Sequence, residues 1–286
     1  MSRRRQQGFT IIELITVIVL IGSLAVIGGI FIVQPFQAVD DMRRRAELVD
    51  EAQLVIERMA REIRTALPNS VRVDTDGTRS ALELVSTRTG GRYRRLPAPG
   101  GGGDRLNRTQ SNDTFDALGG LIDIGAVDTS GGAGTNCAEG DGDCISIYNT
   151  GQTDYDVYAQ DNVAKVVAVT DNAGNDLVGY DNGGTMPAFR QHSPQQRFFV
   201  VDDVVSFVCN TATNRLDRHS GYGLNSTQDV TPGGTTALLG RDVSQCNFTY
   251  NAGTSTRAGL VTIDITISRD GESVRLLQQV HVMNAP

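Results

Sequence analysis

The chain has 286 residues, with 26 Lys and Arg against 33 Asp and Glu, and so a net charge of −7 at neutral pH. Such an acidic chain is repelled by phosphate backbones, and we expect no nucleic-acid partner. Glycine is abundant at 32 residues and tryptophan is absent. The composition favours a β-rich protein with many turns, and the length allows one or two domains with a real core.

A basic N-terminus precedes a long apolar run. Residues 1–8 contain Arg3, Arg4 and Arg5 and no acid, and residues 14–33 carry no formal charge. As a helix this run measures ~30 Å, about the thickness of the hydrocarbon core of a bilayer. The basic flank predicts a cytoplasmic N-terminus, with the rest of the chain exported.

Glu13 lies at the start of this run, where a lone carboxylate in hydrocarbon costs roughly 2.5 kcal/mol or more. A cleaved secretory signal fits less well, because no small-residue cleavage site follows the run. A twin-arginine signal fits "SRRRQQGF" poorly, and a plain membrane anchor leaves Glu13 unexplained. A weaker alternative is that Glu13 is an interfacial acid that reaches toward water.

The stretch "GFTIIELI" (8–15), after its basic leader, resembles the type IV prepilin signature. The resemblance implies that an inner-membrane prepilin peptidase cuts after Gly8 and methylates the new amine of Phe9. It also implies that the amine of a neighbouring subunit neutralises Glu13, since a buried carboxylate is tolerated when paired with a cation. The resemblance divides the chain into a leader (1–8), an assembly half of the helix (9–35), an amphipathic half (36–68) and a head (69–286).

Beyond Pro35, apolar residues recur every three or four positions, which predicts an amphipathic helix with one buried stripe. The stripe comprises Val39, Met42, Ala46, Val49, Ala52 or Gln53, Ile56, Met59 or Ala60, Ile63 and Leu67. Opposite charges four residues apart, such as Arg58 and Glu62, would support its exposed face. Pro68 ends it, because the residue before a proline disfavours the helical region. One nearly continuous helix over about 9–66, ~85 Å long, is expected.

The head contains stretches typical of β-strands, bounded by turn residues. They cover 81–87, 144–150, 162–171, 197–210, 246–251 and 259–282. The last stretch alternates cleanly around Asp270-Gly271, a favoured hairpin turn. Long, mobile surface loops are expected at 90–113, 128–136 and 225–237. With the resemblance, these patterns predict an α+β, type IV pilin-like fold in which a long N-terminal α-helix packs on an antiparallel β-sheet head with long loops.

The four cysteines are Cys137, Cys144, Cys209 and Cys246. An even number in an exported chain favours two disulfides formed in an oxidising compartment, with three possible pairings. We favour Cys137–Cys144, which closes the small loop "CAEGDGDC", and Cys209–Cys246, which joins two strand-like segments. A metal site is the weaker alternative, because there is no CxxC pair and no histidine nearby in sequence.

Catalytic and metal-binding signals are weak. The three histidines, His192, His219 and His281, lack helical metal spacing, and His281 in the last strand is interpreted as structural. The stretch "RLDRHSGYG" (215–223) has no nucleophile context and is interpreted as a structural turn or a surface contact. The acidic loops "CAEGDGDC" and "VTDNAGND" are candidate calcium sites by composition, but neither matches the twelve-residue calcium loop. We therefore expect no enzyme, no cofactor and no metal.

The head stretches "RFFVVDDVVSFVCN", "CNFTY" and "GLVTIDITI" resemble the large minor pilins of MSHA-type pili, the MshO type, which are related to the PilW and GspJ class. The resemblance covers the helix and most of 197–286 but not 88–160. It implies a low-abundance subunit that primes or caps a filament. Prepilin peptidase and other major and minor pilins would be its partners. It would lie first in the inner membrane and then on the pilus at the surface of a Gram-negative bacterium.

Three alternatives remain beside this interpretation. The head could be a tip adhesin that binds a glycan or a surface, although aromatic residues make up only 6% of the chain. The chain could be a minor pseudopilin of a type II secretion system. It could also be a membrane-anchored enzyme, for which the sequence supplies no convergent polar site.

Overall fold

The structure, a computed structural model, describes residues 8–135, 137, 141–172, 174–184, 187–253 and 257–282, with the backbone alone for 29–38. The chain divides into two compact units, and the boundary falls between Val49 and Asp50. The first unit is helical throughout its described part from Ile11 onward. The second unit contains the end of the helix and all the strands.

Helix α1 runs over Ile11–Arg64, which is 54 residues, and its assignment continues through Pro35. In the second unit its buried side chains recur at helical spacing: Ala52, Val55, Ile56, Met59, Ala60 and Ile63. The predicted stripe is wrong in its first part, since Val39 and Met42 are 60% and 70% exposed. None of the residues that the structure describes covers those two side chains. The helix ends just before Pro68, as predicted from the restriction that a proline imposes.

Twelve strands follow in the described part of the chain. They are β1 (Arg72–Thr75), β2 (Arg79–Tyr93), β3 (Asn112–Leu118), β4 (Cys144–Ser146), β5 (Val163–Thr170), β6 (Asn175–Asp181), β7 (Arg197–Asn210), β8 (Arg215–Ser220), β9 (Thr235–Arg241), β10 (Val243–Asn251), β11 (Gly259–Arg269) and β12 (Glu272–Val282). Each stretch that the sequence predicts as a strand overlaps one or two of these strands. The sequence pattern does not predict β1, β3, β6, β8 or β9.

The pairings of six strands close on themselves. In the order β2, β3, β6, β5, β4 and β7, each strand pairs antiparallel with the next, and β7 pairs back with β2. The β2–β3 contact is short, through Arg92↔Leu118 and Tyr93↔Ala117. All six strands contribute to one buried cluster, which includes Phe115, Ile145, Val166, Tyr180 and Phe198. This part of the head is therefore a small antiparallel barrel whose interior is filled by side chains.

The long strands β2 and β7 also belong to an open sheet. Beyond the barrel, the order β1-β2-β7-β8-β9 is antiparallel throughout. The register between β2 and β7 shifts on either side of Thr87, which is the signature of a bulge. Because bulges bend strands and increase their twist, the shift explains how the same two strands serve both the barrel and the open sheet.

The last three strands form a separate sheet in the order β10-β11-β12. The hairpin predicted at Asp270-Gly271 is confirmed, with φ values of 51° and 83° at the two turn residues. Positive φ at both positions defines a type I′ turn, which matches the twist of the flanking strands. Alternate residues of β11, from Val261 to Ile267, are fully buried.

The helical residues from Asp50 onward contact both sheets. Glu62 accepts hydrogen bonds of 3.0 Å from Arg218 of β8, and not from its predicted helical partner Arg58. Glu51 accepts one of 2.7 Å from Arg269 of β11. A Cβ atom on Gly240 of β9 would lie 3.0 Å from Val55, so this close approach explains the glycine. The predicted α+β fold, a helix packed against antiparallel sheets, is confirmed.

The loop predicted at 90–113 is shorter and more ordered than the sequence suggests. Strand β2 continues to Tyr93, and the backbone N–H of Leu106 donates to Arg94 O at 2.9 Å. The side chain of Leu106 is 4% exposed and belongs to the barrel cluster. One buried leucine thus anchors a loop whose glycine content predicts mobility. The predicted loop 225–237 is also shorter than expected, because its last residues belong to strand β9.

Two disulfides join Cys137 to Cys144 and Cys209 to Cys246. The first closes a short loop that leads into β4, over a separation of seven residues. The second connects β7 of the large sheet to β10 of the small sheet over a separation of 37 residues. Only the second disulfide therefore links the two sheets covalently.

We expect the Cys209→Ala/Cys246→Ala variant to lose about 4 kcal/mol of unfolding free energy, and the Cys137→Ala/Cys144→Ala variant about 2 kcal/mol. The longer closed loop restricts the unfolded chain more. Urea unfolding of the full chain in detergent micelles, followed by circular dichroism, measures both values. Equal losses in the two variants would contradict the expectation.

Candidate functional site

The first described residues form a capped helix start. The backbone N–H of Glu13 donates to the carbonyl oxygen of Thr10 at 3.1 Å and to its Oγ1 at 3.3 Å. Thr10 is therefore the N-cap of α1 and Glu13 the third helical residue, and this side-chain bond is one of the two that make up a Thr-x-x-Glu capping box. The Thr-x-x-Glu pattern that indicates this cap is visible in the sequence. A carboxylate at this position is also favoured by the helix dipole.

Gly8 and Phe9 precede the helix and are exposed, with Phe9 at 81%. A Cβ atom on Gly8 would meet no atom within 4 Å, and its φ lies outside the left-handed region. Neither packing nor backbone conformation within this chain therefore requires glycine at position 8. The bond between Gly8 and Phe9 is open to a second protein.

The segment Ile11–Gly28 is long and apolar enough to cross a membrane, with a mean hydropathy of 2.6 and none of it buried. Its only ionisable residue is Glu13. Within the described residues the carboxylate of Glu13 has no hydrogen-bond or ion-pair partner. Apolar surface of this extent is normally covered, by lipid or by protein. The arginines of the predicted leader, at positions 3–5, lie outside the described residues.

The histidines of the head do not converge. His192 stacks on Tyr93 with ring centroids 5.7 Å apart, and burial lowers its pKa. His219 Nδ1 lies 3.2 Å from the hydroxyl of Thr236 on β9. His281 is exposed on β12, so its interpretation as a structural histidine is wrong. The described residues contain no group of three or more His, Cys, Asp and Glu placed to hold a metal.

The two described carboxylates of the first acidic loop, those of Asp141 and Asp143, are used by donors of the chain. Asp141 Oδ2 lies 3.0 Å from Lys165 Nζ. Asp143 accepts 2.8 Å from Arg88 Nε and 2.9 Å from the backbone N–H of Asp128. A cation in this loop would have to displace these donors, so the geometry does not favour calcium.

The second acidic loop is similarly occupied. Asp176 accepts 2.6 Å from the backbone N–H of Leu121 and 3.3 Å from that of Asn172. These bonds connect the β5–β6 turn to the segment after β3. Asp176 is therefore held by backbone donors of the turn and of the segment after β3, and a structural role is sufficient.

The predicted turn at 215–223 is instead strand β8, followed by a short connection. Arg215 pairs with Asp217 at 2.8 Å and Arg218 reaches Glu62 on the helix. Tyr222 points to Glu83 on β2. In the described part of the chain these side chains serve separate contacts.

Glu83 is the most buried acid of this region, at 2% exposure. Its Oε1 accepts 2.9 Å from the hydroxyl of Tyr222, and its Oε2 pairs with Arg72. The Arg72 guanidinium lies 3.6 Å from the ring centroid of Tyr158. Burial raises the pKa of Glu83, and the Arg72 and Tyr222 contacts only partly oppose this. The network ties β1, β2 and the connection after β8 together.

Comparison with protein families matches the prokaryotic N-terminal methylation motif to residues 3–29. The matched range contains Gly8, Phe9 and Glu13 and most of the exposed apolar run. It marks the N-terminus as that of a type IV pilin-like prepilin. Comparisons with curated proteins and with solved structures give no match. The resemblance of the head to MSHA-type minor pilins stays a prediction.

We expect Tyr222→Phe to lower the unfolding free energy by about 1–3 kcal/mol at pH 7, since it removes a donor from a buried carboxylate. The loss should shrink as the pH falls to about 4, because the folded-state pKa of Glu83 is raised above its usual 4.5 and the carboxyl becomes protonated. Urea unfolding at both pH values measures this. A loss that is independent of pH would contradict the role of the Glu83 charge.

Proposed function

We propose that the chain is a minor pilin, or pseudopilin, that prepilin peptidase processes and the inner membrane holds by helix α1. It is then built into the priming or tip complex of a type IV pilus. One observation carries this proposal. The N-terminal methylation motif over residues 3–29 coincides with a helix start whose apolar side chains are all exposed.

Processing would cut the bond between Gly8 and Phe9. Both residues lie outside the helix and are exposed, so a membrane peptidase has access to the bond. The glycine has no structural role within the chain, which is consistent with recognition by the peptidase. Cleavage would remove the arginines of the leader and create a cationic amine four residues before Glu13.

Assembly would then pair that amine with Glu13 of a neighbouring subunit. The capping bond to Thr10 uses the backbone N–H of Glu13 and leaves its carboxylate without a partner in the described residues. If other helices or lipid covered the helix, the carboxylate of Glu13 would be buried without a partner unless a cation paired with it. The Phe9 amine is a cation that every processed subunit carries, so the motif supplies both halves of the pair.

The finer placement rests on the head. Its stretches resemble MshO-type minor pilins of MSHA-type systems, and a barrel added to an open sheet makes a bulky head. A bulky head suits a tip better than a tightly packed shaft. The described carboxylates of the two acidic loops, Asp141, Asp143 and Asp176, serve structural contacts, which supports a structural subunit over an enzyme. We infer other major and minor pilins as partners, through the helix, on a Gram-negative cell surface.

Processing is tested by the intact mass of the protein made with and without a prepilin peptidase. We expect a product that begins at Phe9 with one methyl group on its amine. Gly8→Val is the matched control, because a Cβ atom there contacts nothing and the fold should persist while cleavage is lost. Removal of the whole apolar run, or an unprocessed Met1 end in both preparations, would refute the proposal.

Pairing is tested by Glu13→Gln, which keeps the side-chain shape and the helix cap but removes the charge. Loss of one member of a buried ion pair costs about 3–5 kcal/mol, so incorporation into filaments should fall about 100-fold or more. Thr10→Ala is the control, because it removes the cap for about 1 kcal/mol without touching the charge. Immunoblots of sheared filaments and of membranes measure incorporation and export. Normal incorporation of Glu13→Gln would exclude the pairing.

A further inference from the structure

The small sheet has a free edge. Strand β12 pairs with β11 from Glu272 to Val282 without a register shift. No strand among the described residues pairs with its other side. An unpaired edge offers backbone donors and acceptors to another strand, and proteins normally protect such an edge.

The hairpin turn decides which residues of β12 face outward. In a two-residue type I′ turn the flanking residues, Arg269 and Glu272, form a hydrogen-bonded pair. Every second residue after Glu272 then bonds to β11. The backbone N–H and C=O groups at the free edge belong to Ser273, Arg275, Leu277, Gln279 and His281, which are all exposed.

This edge lacks the usual protection. It contains no proline, no bulge and no lysine. Its one outward charge, Arg275, is held by two hydrogen bonds of 2.8 and 2.6 Å to Asp264 on β11. At its centre Leu277 is 59% exposed. An eleven-residue regular edge with a central exposed leucine is suited to pairing.

There is also room beside the edge. An open groove of about 600 Å³ separates the strand from the helix. Ile56, Ala60 and Arg61 line it on the helix side, and Leu276 and Gln278 line it on the strand side. The inward side chains of a strand added to β12 would lie at this groove.

We propose that a second copy of this chain pairs with β12, antiparallel, about a two-fold axis at Leu277. In this register Leu277 meets the partner's Leu277, and Arg275 lies opposite the partner's Gln279. On the groove side Val274 lies opposite the partner's Val280. The edge is thus self-complementary, with no like charges opposed, as an isologous interface requires. The pairing does not depend on prepilin processing.

Register-specific cross-linking of the full chain in detergent micelles tests this. In Leu277→Cys the two Cα atoms would be about 5.5 Å apart, within the range for a disulfide. In Ser273→Cys, on the same exposed face, they would be about 27 Å apart. We expect mild oxidation to give a disulfide-linked dimer of Leu277→Cys and none of Ser273→Cys. Equal cross-linking of both, as from association through the membrane helix, would overturn the proposal, as would none in either.

A charge at the axis gives an independent test. Leu277→Asp would oppose two carboxylates, so light scattering should show the dimer converted to monomer. Leu277→Asn is the matched control and should remain largely dimeric. Because the side chain is exposed, the fold should persist, which peptide mapping of both native disulfides checks. A monomeric wild-type chain at micromolar concentration would overturn the proposal. So would an unchanged Leu277→Asp dimer with both disulfides intact.

Discussion

The unpartnered carboxylate of Glu13, on an apolar helix that the chain does not cover, is the constraint on which the rest depends. The segment Ile11–Gly28 has no buried residue in the single chain. Lipid can satisfy its apolar side chains, but the carboxylate gains nothing from hydrocarbon. The helix cap and the helix dipole offset part of the cost, because both favour an acid in the first turn. In the proposed assembly the amine of a neighbouring subunit would offset the remainder, since the described part of the chain offers no cation at this position.

The head is held to the end of the helix mainly by apolar burial. The ion pairs of Glu51 and Glu62 are about one-third exposed, and such pairs contribute about 0–1 kcal/mol each. By contrast, burying one large apolar side chain such as Ile56 or Met59 contributes about 1.5–3 kcal/mol. The ion pairs therefore fix which strands the helix meets, while the buried stripe supplies most of the stability.

Local features of the fold can be predicted from the sequence more readily than the closure of the barrel. The β11–β12 hairpin is predictable because alternation and an Asp-Gly turn act within a few residues. Strands β3 and β6, "NDTFDAL" and "NDLVGYD", are rich in residues that strands disfavour, and they persist because each pairs along its whole length. The pairing of β3 with β6, and the closure of the barrel through β2 and β7, depend on residues that are far apart in the sequence. The Thr10 cap of helix α1 is readable in the sequence, whereas the free edge of β12 follows only from knowing its neighbours.

Helix packing and strand pairing impose different kinds of order on an assembly. Apolar contact is non-directional, so the exposed helix alone would allow subunits to slide along one another. In the proposed assembly a single buried charge pair would remove that freedom, because any slip would leave both the Phe9 amine and the Glu13 carboxylate in a medium that solvates neither. Strand pairing at β12 is directional along its whole length, and a slip of one residue would move its side chains to the opposite face. A subunit that combines the two can therefore set axial position through one pair of atoms and leave lateral contacts to its head.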